Sequence, residues 1–158
     1  MSEPRAWVVS VNRSSGGVPK VGVPRARVTA AGVEGDVQRD LRHHGGPDRA
    51  VCLYSLERIN ALRGEGHPIG PGTAGENVTV AGLDWERVTP GVRLKVGEVE
   101  LEITSYAAPC ETIVGSFSDQ RSTRISQKVH PGWSRVYARV IVEGAVAAGD
   151  TVEILTTA

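Results

Sequence analysis

Apolar and polar residues alternate with a period of two through much of this chain. Val92, Leu94 and Val96 alternate with Arg93 and Lys95, and Val99, Leu101 and Ile103 alternate with Glu98, Glu100 and Glu102. Runs of this kind predict half-buried strands, one face on a core and the other charged. Gly97-Glu98 joins the two runs, and a glycine in first place predicts a type II′ hairpin across 92–105. A long strand is predicted at 136–142, where Val136, Ala138, Val140 and Val142 recur at every second position. Shorter strands are predicted at 6–11, 25–31, 76–80 and 151–155. Residues 50–54 form a short apolar run between turn residues, which predicts a buried strand.

One stretch has helical spacing instead. Leu56, Ile59 and Leu62 follow Ser55, a natural N-cap, and Gly64 and Gly66 end the pattern. Arg58 stands where a capping box has Glu or Gln, so the box is incomplete. Residues 111–117 predict a helical turn, residues 67–75 are turn chemistry throughout, and 144–149 predict a turn before the last strand. About eight strands with one or two short helices predict a mainly β fold, a closed or nearly closed β-barrel. Closure removes the edges that an open sheet must protect. With no repeat and no low-complexity linker, 1–158 reads as a single domain with its core at about 6–155.

Composition narrows the class further. A chain of 158 residues can bury a proper core. Zero formal net charge argues against a general nucleic-acid footprint, while leaving room for a local basic pocket. No apolar run approaches the ~20 residues of a membrane span. The first five residues lack the apolar stretch of a signal peptide, so a cytoplasmic protein is expected. The two cysteines, Cys52 and Cys110, do not have zinc-site spacing, and a reducing compartment disfavours a disulfide between them.

The candidate chemistry falls in four places. Cys110 follows Pro109 at the exit of a strand, where loops carry function; it reads either as a small buried hydrophobe or as a working thiolate that ligates a soft metal or carries sulfur. Cys52, between Val51 and Leu53 in an apolar run, reads as core. His43-His44-Gly45-Gly46 is a polar loop whose glycines let backbone approach an anion closely. It lacks the Lys-Ser/Thr ending of a Walker loop and is not a dinucleotide fingerprint. A non-haem iron set from Asp36, Asp40 and His44 is opposed by the Gly-Gly-Pro that follows. Residues 70–77, ending in Gly75-Glu76-Asn77, read either as a plain loop entering a strand or as a segment whose Asn77, with the backbone of Thr73 to Gly75, binds the polar edges of a ligand. Arg121, Arg124 and Lys128 form a cationic stretch, read as a solvated face or as partners for phosphate. No Ser-His-Asp order suggests a hydrolase.

Taken together these blocks resemble the MOSC domain, the family named for the C-terminal domain of molybdenum cofactor sulfurase. Residues 35–51, Gly-Asp through His-Gly-Gly to Ala-Val, resemble its first block; 72–79 resembles its Gly-Glu-Asn block; Pro109-Cys110 matches the family cysteine; 131–144 and 149–152 resemble its closing strands. The match runs over nearly the whole chain and is similar to the stand-alone bacterial type, without a further N-terminal barrel or an aminotransferase-like region.

The resemblance implies a barrel like the small barrel domain of pyruvate kinase, and binding of molybdenum cofactor (molybdopterin). Cys110 would be the thiolate on molybdenum, and His43, His44, Gly45, Gly46, Gly75, Glu76, Asn77, Arg121, Arg124 and Lys128 would line the cofactor pocket. It implies an oxidoreductase that reduces N-hydroxylated compounds, such as hydroxylamines and hydroxylamino-purines, to amines. With no flavin, iron–sulfur or haem motif in the chain, electrons would come from a separate donor protein. The alternative is a sulfur carrier or cofactor-binding module, with a persulfide on Cys110 supplied by a cysteine desulfurase.

Overall fold

The computed structural model describes residues 5–16, 18–37, 46–109 and 111–156. Seven strands close a barrel in the order β1 (Ala6–Arg13), β11 (Thr151–Thr156), β7 (Arg93–Val96), β8 (Val99–Tyr106), β9 (Val136–Val142), β5 (Val51–Ser55), β6 (Val78–Ala81), and β6 returns to β1. β2 (Val21–Val23) adds an edge to β1. A small second sheet holds β10 (Gly144–Ala147), β3 (Arg25–Thr29) and β4 (Gly32–Val33). The predicted closed barrel is therefore the observed one.

Register explains why the barrel is solid. Val8 faces Val80, Leu53 faces both Val78 and Val136, Ala138 faces Ile103, Leu101 faces Leu94, and Val96 faces Val99 and Val152. These side chains share one face and are buried, so β-branched and leucine residues fill the inside. On β7, β8 and β9 the other face is charged: Arg93 pairs with Glu102, and Glu102 also meets Arg139. Opposite charges directly across a ladder stabilise it modestly.

The hairpin turn has the predicted geometry. Gly97 takes φ 58°, and Glu98 has no positive φ, which is the type II′ pattern. The helix α1 (Leu56–Gly64) starts where the capping residue predicts. Ser55 Oγ accepts the Arg58 N–H at 3.2 Å, and Ile59 and Leu62 are its buried face. Residues 144–149 differ from the expected turn: the first four form β10, paired with β3. Gly144 and alanines carry too little apolar pattern to read as a strand, yet Gly144 is needed there because a Cβ would meet Glu98 Cβ at 2.7 Å. β2 and β4, of three and two residues, have no readable period either. The turn predicted at 111–117 is a 3₁₀ helix, η3 (Glu111–Ser116). Three more, η1 (Pro47–Arg49), η2 (Trp85–Arg87) and η4 (Ser122–Ile125), complete the described elements.

Among the described pairs, β5–β6 alone is parallel. A parallel pair requires a crossover. Here that crossover is α1 and the 65–77 loop, which packs on the outer face of the wall. Cys52, Tyr54, Thr79 and Ser10 lie on that outer face, opposite in parity to Leu53, Val78 and Val80. No helix among the described residues is long and apolar enough to cross a membrane.

Candidate functional site

The crossover loop brings Glu76 and Asn77 to the outer wall, where both are fully buried. Asn77 acts as an extra rung between strands. Its N–H donates to the Cys52 carbonyl at 2.7 Å and its Oδ1 accepts the Cys52 N–H at 3.0 Å. Its Nδ2 donates to Asp36 Oδ2 at 2.9 Å and, more weakly, to the Asn12 carbonyl at 3.4 Å. Asp36 in turn pairs with Lys20, whose Nζ lies 2.6 Å from Oδ2, and accepts the Ser14 N–H at 3.0 Å. The Lys20 and Asp36 side chains are only 8% and 4% exposed. A buried pair of this quality needs its added hydrogen bonds to offset desolvation, and Asp36 has them from Asn77 and Ser14.

Glu76 sits in a drier place. Its Oε2 accepts the Thr79 hydroxyl at 2.9 Å, while Oε1 is buried with no partner. Burial pushes its carboxyl above the usual range, against the pull of backbone N–H groups at Gly72 and Glu76. Asn12 Nδ2 closes the cluster, donating to the Glu76 carbonyl and to Thr79 Oγ1.

Arg135 ties this loop to the strand that leads to Cys110. It is 2% exposed. Nη1 donates to the Ala74 carbonyl at 2.8 Å, and Nη2 donates to the carbonyls of Ala107 at 3.4 Å and Ala108 at 3.2 Å. Its Nε is buried without a partner. The rigid fork of a guanidinium is what allows one side chain to gather carbonyls from two segments. On the far side of Cys110, Ser116 donates to Thr73 Oγ1 at 3.1 Å.

Of the expected site residues, His43, His44, Gly45 and Cys110 lie outside the described residues, as does Asp40. Their flanks are described, and they converge. Asp36 is held at Asn77. Past Gly46, which is exposed with φ 80°, Arg49 stacks its guanidinium on the Tyr137 ring at 5.5 Å, and the Asp48 carbonyl accepts the Thr104 hydroxyl. Tyr137, Cys52 and Ala107 form one buried cluster. Gly75, at φ 85°, donates its N–H to the Gly72 carbonyl within the loop.

The cationic stretch is not gathered there as a set. Arg124 forms a two-pronged pair with Glu65, at 3.0 and 2.8 Å, and lies 4.1 Å over the Trp133 ring. That hydrogen bonding holds the Glu65 carboxyl below its usual range and raises Arg124. Arg121 and Lys128 are exposed. Cys52 is buried, and burial pushes its thiol up to about 11, so it is an inert thiol rather than a nucleophile. No group of three or more His, Cys, Asp or Glu residues poised to hold a metal occurs among the described residues. A cleft of about 190 Å³ lies elsewhere, lined by residues such as Trp85, Val88, Tyr106 and Ser134, and includes none of the expected site residues.

Arg135, Lys20 and Asn12 escape a reading of sequence alone. The alternation that puts Val136 and Ala138 inside the barrel puts Arg135 and Tyr137 outside, and an outward arginine ordinarily reads as solvated. Only the crossover loop, which covers that face, makes it a buried cation.

A family model for the MOSC domain matches residues 40–153. The uncharacterized protein YflK of Bacillus subtilis strain 168 is 35% identical over 124 residues, covering 78% of this chain and 55% of YflK. Protein YiiM of Escherichia coli K12 is 28% identical over 134 residues, covering 82% of this chain and 58% of YiiM. The chain thus spans little more than half the length of either relative. The crystal structure of Escherichia coli YiiM superposes with a TM-score of 0.71 at 23% identity, covering 98% of this chain and 71% of that one. A crystal structure described as that of a hypothetical protein superposes with a TM-score of 0.74 at 26% identity, over 98% of this chain and 70% of the other.

Proposed function

The chain belongs to the MOSC domain family, and on that footing we propose that it binds molybdenum cofactor and reduces N-hydroxylated compounds to amines. The observation that carries this reading is the convergence of the flanks. Asp36 and Arg49, on either side of the His-Gly-Gly loop, and Ala108 and Ser116, on either side of Cys110, are all anchored on one outer face around Asn77, Arg135 and Tyr137.

The residues present fit the group in chemical type. A buried guanidinium with one unpartnered N–H, Arg135 Nε, suits an anionic ligand. Glu76, the buried acid of the same face, has its neutral form favoured by burial. With Cys52 inert, Cys110 is the thiol left to supply a soft ligand. In this reading Cys110 would hold the metal, and His43, His44, Gly45 and Gly46 would contribute ring nitrogens and backbone N–H groups to the pocket. Arg124 is committed to Glu65 and Trp133, so in this reading the buried Arg135 is the cation nearest the anionic group. When bound, the cofactor supplies two-electron redox chemistry.

The net conversion takes R–NHOH, two electrons and two protons to R–NH2 and water, so an external electron donor protein completes the cycle. Arg135 fixes the backbone on the approach to Cys110, and the Asn77–Asp36–Lys20 chain fixes the approach to the histidines. The reading is tested by metal analysis of protein produced with ample molybdate, and by hydroxylamino-purine reduction with a reduced viologen dye as donor. Near-stoichiometric molybdenum and turnover, both lost in Cys110→Ala, are the expected result. Persulfide on Cys110 with no molybdenum would replace this reading with that of a sulfur carrier fed by a desulfurase.

A further inference from the structure

The segment from Ile113 to His130 straps across the end of α1, where polar contacts pin it. Arg124 reaches Glu65, the C-cap of α1, and Ser118 reaches His67. We propose that His67 is a proton-sensitive latch for this strap: neutral imidazole holds it and imidazolium releases it.

The argument rests on donor and acceptor roles. The Ser118 backbone N–H donates to His67 Nδ1 at 3.1 Å, and the Ser118 hydroxyl lies 3.3 Å from the same nitrogen. A backbone N–H can only donate, so Nδ1 must offer its lone pair and the ring proton sits on Nε2. Nε2 is 3.7 Å from Glu65 Oε1, an acceptor. The ring is largely enclosed, its side chain 9% exposed and its face set against Phe117 at 5.3 Å in an edge-to-face arrangement. A second proton can therefore enter only at Nδ1. There it meets the Ser118 N–H donor to donor, and the bond is lost.

The same proton disturbs the second attachment. The charged groups around the ring are Glu65 at the end of α1, Arg124 on η4, and His130 in the turn beyond, which acts on Glu65. Ser118 and Phe117, the strap's own contacts with the ring, carry no charge. Glu65 serves Arg124 with both oxygens. An imidazolium beside it competes with Arg124 for that carboxylate, so protonation weakens both pins together. Imidazole suits such a latch because one added proton changes both its charge and its donor count at a single atom. The strap joins the Cys110 segment to β9, and the inference is independent of what Cys110 binds.

Amide exchange in the full chain, followed by NMR from pH 8 to pH 5 and corrected for the intrinsic pH dependence of exchange, tests the latch. Protection of the Ser118 amide is expected to fall by roughly three- to tenfold, the fold-change of one ordinary hydrogen bond, while Ile103 and Ala138 in the barrel hold constant. His67→Asn presents an amide oxygen near the Nδ1 position and cannot titrate, so it should keep Ser118 protection and remove the pH dependence. A pH-independent wild type, or an Asn variant with the same fall, overturns the proposal. Nitrogen shifts of the unmodified ring provide a check that needs no variant: the Nε2–H tautomer is expected at pH 8, and finding the proton on Nδ1 there would overturn it equally.

Discussion

Asn77 and Cys52 are joined twice, backbone to backbone at 2.7 Å and amide oxygen to backbone N–H at 3.0 Å. The side chain extends the β5–β6 ladder by one rung beyond Leu53 and Val78, and its NH2 end then reaches the Lys20–Asp36 pair. Asn77 thus couples the barrel wall to the approach of the His-Gly-Gly loop. It works as a scaffold whose polar atoms are already engaged.

Removing that rung should be costly. Asn77→Ala leaves the Cys52 N–H without its partner in a dry interior and removes one of the two donors to Asp36 Oδ2, leaving Lys20 alone there. A loss of about 2–4 kcal/mol is expected, read as a drop in denaturant midpoint with unchanged slope. A change below about 0.5 kcal/mol would show that the network relaxes freely.

Glu76 gives a pH prediction with a definite sign. Its folded-state carboxyl is raised by burial. Its favourable contribution is therefore complete below the unfolded-state value and is lost as pH rises through the folded-state one. Glu76→Gln keeps the shape and cannot ionise. The stability of the Glu76→Gln variant relative to wild type should rise as pH is raised above the ordinary carboxylate range, read by urea denaturation. A gap that stays flat with pH would argue that Glu76 is ionised and compensated throughout.

Lys20 and Asp36 should show strong coupling. Asp36→Ala strands a largely buried ammonium and is expected to cost about 3–5 kcal/mol. Replacing both, Lys20→Met with Asp36→Leu, removes the stranded charge and should cost less than Asp36→Ala alone. A double-mutant cycle at constant salt built from Lys20→Met, Asp36→Leu and their combination measures the coupling, and strict additivity would refute a working pair.

Arg135 should not tolerate lysine. A point charge on a flexible stem cannot bridge the Ala74 carbonyl and those of Ala107 and Ala108 at once. Arg135→Lys is expected to lower stability by about 1–3 kcal/mol and, under the proposed function, to reduce molybdenum retention below wild type. A variant with wild-type stability and metal content would show that the fork is dispensable.

Period-two patterning revealed the barrel because closure needs only an apolar inner face, and 92–105 and 136–142 carry that face cleanly. Gly97 and Ser55 revealed a turn and a helix start because each supplies a local device that few other residues supply. Cys52 read correctly as core from its neighbours Val51 and Leu53. β10 was hidden because Gly144 and its alanines serve close packing against Glu98, which leaves no periodic signal. Arg135 was hidden for a different reason: its burial comes from a loop some sixty residues away in sequence, which Ala74 represents in the contact itself. Local pattern reports what a strand shows to its own core and is silent on what later covers its back.

The parallel β5–β6 pair has a consequence for how this protein can change. Because the β5-to-β6 connection passes outside a barrel already filled with valine, leucine and isoleucine, the crossover loop and the described flanks of the candidate site rest on the wall like fittings on a finished cask. New lengths or residues in them need satisfy only the polar anchors at Asn77, Arg135 and Asp36. The interior staves would be left unaltered by such remodelling.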